Sequence, residues 1–192
     1  MATLNTTNIK HASSGSNNIV LAADGSTTIS NLSNAGKILQ VVQTYKTDTF
    51  SATPGAYTWV DVTGLSASIT TTGSNKVKVT ALVNGSAPHD GYNVYMKVVR
   101  GSTDVGLGDA AGSATRCSAA GYWSHQNVTD YSTHGLITQL LDSPSAGTHT
   151  YKIQIQTNYN SIQIWTGRSE AGTGTGYQTC PSGFITLEEV AA

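Results

Sequence analysis

The chain has 192 residues, of which only 11% are charged and 38% are hydrophobic, and its formal net charge is −1. A neutral chain with scattered Lys and Arg lacks the basic face that binds nucleic acid, and no apolar run reaches the ~20 residues of a membrane span. The first residues, MATLNTTNIKHASS, lack the apolar core of a secretory signal peptide. We therefore expect no nucleic-acid partner, no membrane partner and no Sec-type secretion.

The first predicted element is a short hairpin that follows a polar, low-complexity leader. Asp24 and Gly25 lie between two β-prone runs, and this dipeptide favours a two-residue type I′ turn, which needs positive φ at both central positions. A turn centred there pairs Val20 with Ile29. Because an isolated two-stranded hairpin is marginal in water, we predict that residues 1–36 form an extended arm that anchors the chain to a partner.

The next element, a strand at residues 37–45 (KILQVVQTY), carries apolar side chains on both of its faces. Val42 lies on one face, and Leu39, Val41 and Tyr45 lie on the other. A sandwich strand with one wet face should alternate cleanly between apolar and polar residues. Two explanations are open: a central strand covered by a loop, or a strand whose outer face meets another subunit. In the second case Leu39, Val41 and Tyr45 are the candidate subunit interface.

Two-residue alternation of apolar and polar side chains recurs along the rest of the chain and predicts short strands. The strand-like runs are KVKVTALV (76–83), YNVYMKVVR (92–100), YKIQIQT (151–157), SIQIWTG (161–167) and FITLEEV (184–190). Turns rich in Gly, Asn and Ser separate them, and the best helical candidate, STHGLITQLLDSP (132–144), is short and contains Gly135. We predict an all-β fold, an antiparallel β-sandwich of the jelly-roll type over residues 37–192, with roughly eight to ten strands.

The segment AAGYWSHQNVTDYSTHG (119–135) concentrates aromatic and amide side chains. Carbohydrate and protein recognition use such groups, because aromatic faces stack and amides give directional hydrogen bonds. The candidate ligand-binding residues are Tyr122, Trp123, His125, Gln126 and Tyr131. The alternative is a long loop that covers one end of the sandwich, with Trp123 buried as its plug.

The two cysteines, Cys117 and Cys180, form no CxxC motif and have no His spaced for zinc. They are either unrelated small residues or one disulfide that staples two Gly- and Ser-rich loops. The five histidines form no HxH or HxxxH pair; the alternative to ordinary loop histidines is one His per chain on a three-fold axis, with His89 in PHDGYN the first candidate.

Catalytic motifs are missing from the sequence: it contains no nucleophile elbow, P-loop or HExxH. Glu188 and Glu189 are adjacent on a predicted strand, so their side chains point to opposite faces and cannot act together as acid and base. We expect no catalytic residue, no metal site and no cofactor.

A series of segments runs in order along the chain: GKILQVVQTYKTDTFS, WVDVTGLSASIT, NKVKVTALVNGS, VVRGSTDVGLGDAAG, LLDSPSAGTHTYKIQIQT, GRSEAGTG and SGFITLEEVA. Together with the N-terminal leader, this series resembles a family of small virion proteins of tailed phages, many of them marine or cyanobacterial. The resemblance covers about residues 36–191. It implies a homotrimeric jelly-roll head, similar to the tumour-necrosis-factor and complement-head class, on the virion surface.

The resemblance also implies a role for each part of the chain. The arm would hold the protein to phage capsid or tail proteins through its apolar residues Ile19, Val20, Leu21, Ile29 and Leu32. The head would belong to a tail fibre or short spike that contacts a host surface glycan or protein, made in the host cytoplasm. One alternative is a capsid decoration (cement) protein, favoured by the lack of a repeat or coiled-coil shaft; another is a free lectin-like module, which does not explain the arm.

Overall fold

The structure is a computed structural model that describes residues 6–13, 15–16, 19–25, 27–29, 36–88, 93–123, 133–169, 176 and 178–192. The chain separates into two compact units, Met1–Ala35 and Gly36–Ala192, each described below by itself. We call them the N-terminal unit and the head unit.

The N-terminal unit contains a three-stranded antiparallel sheet in the order β1-β2-β3. Its strands are β1 (Asn8–Ile9), β2 (Ile19–Leu21) and β3 (Thr27–Ile29). The sequence predicted only β2 and β3, because the polar leader carries no alternation that marks β1. The pairing of β1 with β2 gives the leader a place in the sheet.

The register of the hairpin corrects the predicted two-residue turn. Val20 lies opposite Thr28 rather than Ile29, so the predicted cross-strand pair is wrong. The cause is the connection: a turn closes earlier, where the Gly25 N–H donates to the Ala22 carbonyl at 3.1 Å. Of the two residues at the predicted turn, Gly25 has a positive φ of 85° and Asp24 does not. A type I′ turn needs both, so a longer loop forms and shifts the register by one residue.

The head unit is built from eleven strands, and none of its described residues is helical. They are β4 (Ile38–Lys46), β5 (Phe50–Ala52), β6 (Val60–Thr71), β7 (Lys76–Ser86), β8 (Asn93–Arg100), β9 (Thr103–Val105), β10 (Ala119–Tyr122), β11 (His134–Asp142), β12 (Gly147–Thr157), β13 (Ile164–Thr166) and β14 (Gly183–Val190). The runs predicted at 76–83, 92–100, 151–157 and 184–190 are confirmed as β7, β8, β12 and β14. The helical candidate forms β11 instead.

The strands form two antiparallel sheets with the strand order of a jelly roll. Sheet I has the order β4-β14-β7-β11, with β13 and β5 continuing beside β7. Sheet II has the order β6-β12-β8-β10, with β9 paired to β8. Counting these eight main strands along the chain, the sheets read 1-8-3-6 and 2-7-4-5, so consecutive strands cross repeatedly between sheets. The predicted all-β, antiparallel sandwich is therefore the fold of the head unit.

The hydrophobic core lies between the inner faces of the two sheets. Alternate residues of the long strands are buried in it, as the two-residue pattern predicts. The largest fully buried apolar side chains are Trp123, Tyr151, Leu65, Ile69, Met96, Ile153, Ile155, Ile164, Ile185 and Leu187. Burial of an aliphatic or aromatic side chain of this size contributes about 1.5–3 kcal/mol, so this core stabilises the head unit.

A polar cluster joins the two sheets at one end of the core. The Tyr151 hydroxyl donates to Asp142 Oδ2 at 2.7 Å, and Arg100 Nε lies 2.8 Å from the same oxygen. Asp142 ends β11 in sheet I, whereas Tyr151 and Arg100 are paired in sheet II. Burial, followed by the hydrogen bond to Asp142, raises the pKa of Tyr151. Arg100 and Asp142 therefore neutralise each other's charge, and Asp142 also accepts the Tyr151 hydroxyl proton in a hydrogen bond.

Candidate functional site

The described apolar side chains of the N-terminal unit are exposed or half-buried. Ile19 and Val20 are half-buried, whereas Leu21 and Ile9 are exposed. None of the described side chains of this unit is buried. Ile29 ends β3, but its side chain and the whole of Leu32 lie outside what the structure describes. The described part of the unit is thus a small sheet with little core of its own.

The outer side chains of β4, which the sequence marked as a candidate interface, are exposed on the head unit. Leu39, Val41 and Tyr45 all face away from the core, with Val41 57% and Tyr45 63% exposed. Val42, on the other face, packs against the core. In the described part of the chain β4 pairs only with β14, so it is an edge strand and not a covered central one. One face of β4 is used by the core, and the other lies open.

An apolar row extends this face across sheet I. Tyr45 of β4 lies opposite Phe184 of β14, Phe184 opposite Leu82 of β7, and Leu82 opposite Ile137 of β11. The rings of Tyr45 and Phe184 are 6.0 Å apart at their centroids. Phe184 and Leu82 are half-exposed, and Ile137 is 64% exposed. The row therefore forms a continuous apolar band across four strands, which we call the apolar row.

A second row on the same face places charges between apolar ends. Val41, Glu188, Lys78 and Leu141 are neighbours across the four strands. Lys78 and Glu188 form an ion pair, so these charges neutralise each other. A third row of hydroxyl and amide side chains separates these two rows: Gln43, Thr186, Thr80 and Gln139. Gln43 donates a hydrogen bond to Thr186, and Gln139 donates one to Thr80. We call these three rows together the outer face of sheet I.

Glu189, the neighbour of Glu188, lies on the inner side of β14, as the alternation predicts. Its carboxylate accepts hydrogen bonds from Asn75 Nδ2 at 2.8 Å and from Gln40 Nε2 at 2.7 Å. These two bonds, Asn75 first, hold its pKa below the usual value. Two donors that both bind the ionised form give Glu189 a structural role at the end of the core.

The candidate ligand-binding segment is divided by the structure. Tyr122 is exposed at the end of β10, whereas Trp123 is fully buried in the core. Of the two roles considered for Trp123, the structure gives that of a plug, and its ring presents no face to a ligand. Gly85 makes room for the indole, since a Cβ there would lie 2.6 Å from a ring atom. The other candidates, His125, Gln126 and Tyr131, lie outside the described residues.

A second aromatic surface, which the sequence analysis missed, lies on the outer face of sheet II. Tyr57, from the loop before β6, and Tyr95, from β8, line a groove of about 590 Å³. Its other wall is the segment Ser113–Thr115, between β9 and β10. We call it the tyrosine groove. The sequence signal was the Pro-Gly turn with nearby aromatics in TPGAYTW (53–59), but this motif alone does not reveal which strand the loop covers.

The cysteines are free thiols, which corrects the disulfide interpretation. Cys117 precedes β10 in sheet II, and Cys180 precedes β14 in sheet I. Cys180 is exposed, and burial raises the pKa of the half-buried Cys117 thiol. Each cysteine therefore behaves as an unrelated small residue.

The described residues contain neither a cluster of metal-binding side chains nor a membrane-spanning helix. No group of three or more His, Cys, Asp and Glu side chains is arranged to hold a metal ion there, and His89 lies outside them. Within the same residues, no helix has the length and apolar character needed to cross a bilayer.

Comparison with known proteins gives structural similarities but no matching family model. No protein-family model matches the chain, and no curated protein sequence matches it. A solved structure of the infectious bursal disease virus Gx strain aligns with 80% of this chain at 13% identity and a TM-score of 0.38. The alignment spans only 38% of that viral chain. A similarity this low is no basis for assigning a function, so the proposal below rests on the geometry.

Proposed function

We propose that this chain is a non-enzymatic structural protein of a bacteriophage virion, a homotrimeric surface appendage anchored through its N-terminal unit. In this proposal it forms a tail fibre tip or short spike, and its head unit points outward. The observation that carries the proposal is the outer face of sheet I. A folded head with a complete core would present there a continuous apolar band that a second copy can cover.

The composition of that face supports association between copies. Val41, Tyr45, Ile137 and Leu141 are exposed large apolar residues that share one side of one sheet, and Leu39 is a further exposed apolar residue of β4. Contiguous exposed apolar patches mark interaction sites in soluble proteins. The paired charges and the row of hydroxyl and amide groups between them provide polar contacts, as protein interfaces require. The number of copies, three, comes from the resemblance to phage virion proteins.

The N-terminal unit supports an anchoring role for a different reason. Its described side chains are exposed or half-buried, including the apolar Ile9, Ile19 and Leu21. A small sheet of this kind gains stability when a partner covers its apolar side chains. In the proposal the partner is a capsid or tail protein, and sister copies contribute their own N-terminal units to the same anchor.

The mass of the purified full chain in solution tests the oligomeric part of the proposal. We expect a particle of three chains, each of 20.0 kDa. A monomer at micromolar concentration would contradict the proposal, because the outer face of sheet I would then be stable in water by itself.

Removal of residues 1–35 tests the anchor separately. The truncated chain should still form the same oligomer but should no longer join phage particles. If it is incorporated as efficiently as the full chain, the N-terminal unit is not the anchor.

A capsid decoration protein is the second candidate, since the β-sandwich of the head unit would also suit the surface of a capsid. In that role, binding energy between neighbouring capsomers would add to the stability of the shell. The number of copies per particle separates the two: hundreds indicate decoration, and tens or fewer indicate a tail appendage.

A further inference from the structure

Two strained backbone positions meet beside the tyrosine groove. Tyr57 and Ser161 have φ of 56° and 58°, and they are the non-glycine residues with positive φ in the described chain. Their loops are joined: the Tyr57 N–H donates to the Thr157 carbonyl at 2.8 Å, and the Ala56 N–H donates to Asn160 Oδ1 at 2.8 Å. Such conformations are costly for a bulky residue and persist where surrounding contacts fix them, which happens most often at ligand sites.

These hydrogen bonds hold the backbone of Tyr57 in place, although its aromatic ring is open to solvent. Tyr57 is 60% exposed, and it forms one wall of the groove. Tyr95 is half-buried and also lines the groove. Burial, followed by the nearby Tyr57 and Cys117, raises the pKa of Tyr95. The groove therefore has a preformed aromatic pair, and a ligand would not need to order the Tyr57 loop on binding.

The remaining groups around the groove are neutral and rich in hydrogen-bonding atoms. Ser113 and Thr115 bring two hydroxyls to the opposite wall. Gln156, directly opposite Tyr95 in the β8–β12 register, is almost fully buried and does not line the groove. The hydrogen-bonding side chains that the groove offers to a ligand are therefore those of Ser113 and Thr115.

Two lysines on this face of sheet II are each paired with a carboxylate. Lys97 Nζ lies 2.7 Å from Asp104 and 4.7 Å from the centre of the Trp59 ring. Lys152 Nζ lies 2.8 Å from Asp61 Oδ2. The groove lining thus offers aromatic faces and hydroxyls, and none of its five side chains is charged.

We propose that the tyrosine groove binds a neutral saccharide, with a sugar ring stacked on Tyr57 and its hydroxyls bonded by Ser113 and Thr115. The volume of about 590 Å³ is large enough for a short oligosaccharide. This inference deepens the proposed function by naming the ligand class that an outward-facing head would bind, and it rests on that function only for the source of the saccharide. Aromatic-lined grooves also bind proline-rich peptides, but the hydroxyls of Ser113 and Thr115 favour a polyhydroxylated ligand.

The test uses the purified full chain and short neutral oligosaccharides of glucose, galactose and N-acetylglucosamine. Binding is detected by saturation-transfer NMR and measured by calorimetry. The variant Tyr57→Asn removes the ring, while Asn tolerates positive φ and so preserves the loop. The matched control is Tyr159→Asn, since Tyr159 is 56% exposed in the neighbouring loop but does not line the groove. A thermal unfolding scan of each variant checks that the fold is intact.

We expect at least one of the oligosaccharides to bind, with affinity about tenfold or more weaker in Tyr57→Asn and unchanged in Tyr159→Asn. Binding to none of them overturns the inference. So does preferential binding of a proline-rich peptide or of a uronic-acid oligosaccharide, or loss of binding in Tyr122→Ala but not in Tyr57→Asn. Because the assay needs neither phage particles nor a particular oligomer, a negative result leaves the virion role standing, and failed incorporation leaves the binding result standing.

Discussion

Replacing Ile137 by Ala tests whether the apolar row is an interface between copies. Ile137 is 64% exposed on β11, so the folded single chain gains little from its side chain. Full burial of an Ile side chain is worth about 1.5–3 kcal/mol, and only the exposed share can be contributed by a partner. The variant should therefore lose about 1–2 kcal/mol of association free energy per subunit, or roughly five- to thirtyfold in affinity for each subunit.

The assay is a dilution series followed by sedimentation or mass photometry, together with urea unfolding of the dissociated chain. The matched control is Thr103→Ala, which also replaces an exposed β-branched residue but lies on β9 in sheet II. Ile137→Ala should dissociate at a higher concentration than the control, whereas both single chains unfold at similar urea concentrations. Equal dissociation of the two variants would show that the apolar row is not at the interface.

Three other predictions concern the head unit alone. Gly85→Ala should cost about 3 kcal/mol or more in urea unfolding, because its Cβ would lie 2.0 Å from a backbone oxygen and 2.6 Å from the Trp123 ring; an unchanged midpoint would contradict this packing. In the folded chain the pKa of Glu189 is lowered from 4.5, so the stability that its carboxylate contributes is present above pH 4.5 and is lost as the pH falls through the folded pKa. Glu189→Gln should therefore flatten the acid side of the curve of unfolding free energy against pH. Parallel curves for the two proteins would refute this. Free Cys117 and Cys180 predict that a reducing agent leaves the melting temperature unchanged and that Cys180 reacts first with a thiol reagent; an intact mass with a disulfide would show otherwise.

The strands of the head could be predicted from the sequence because their alternation is a local property. In β7 and β12, buried Val and Ile side chains alternate with less buried polar ones at every second residue, and the pattern names both the element and its core face. β11 was missed because Gly135 and an unalternating Leu140–Leu141 pair weaken the pattern. Pairing with β7 along its whole length decides its conformation instead, which a local pattern cannot show.

The candidate sites depend on contacts between distant residues, and these were harder to predict. The exposed face of β4 was visible as a second apolar face on one strand, whereas the apolar row needed the positions of β14, β7 and β11. From the sequence alone, Trp123 could be a ligand contact or a buried plug of the core. The structure shows its indole buried against Gly85, where a side chain would clash with it. The tyrosine groove joins Tyr57 to a strand almost forty residues further along the chain, and no motif links the two.

The two outer faces of the sandwich differ in a way that bears on how the head is used. The outer face of sheet I carries four exposed large apolar residues in its rows, Val41, Tyr45, Ile137 and Leu141. The outer face of sheet II instead has paired charges and a neutral groove around Tyr57. Exposing the apolar outer face of sheet I to water is unfavourable, whereas the polar outer face of sheet II is readily hydrated. Copies that associate through sheet I would leave sheet II free, so one head can bind its sisters and a ligand at the same time. Three grooves held on one appendage would then bind a repeated glycan with an avidity that a single weak site lacks.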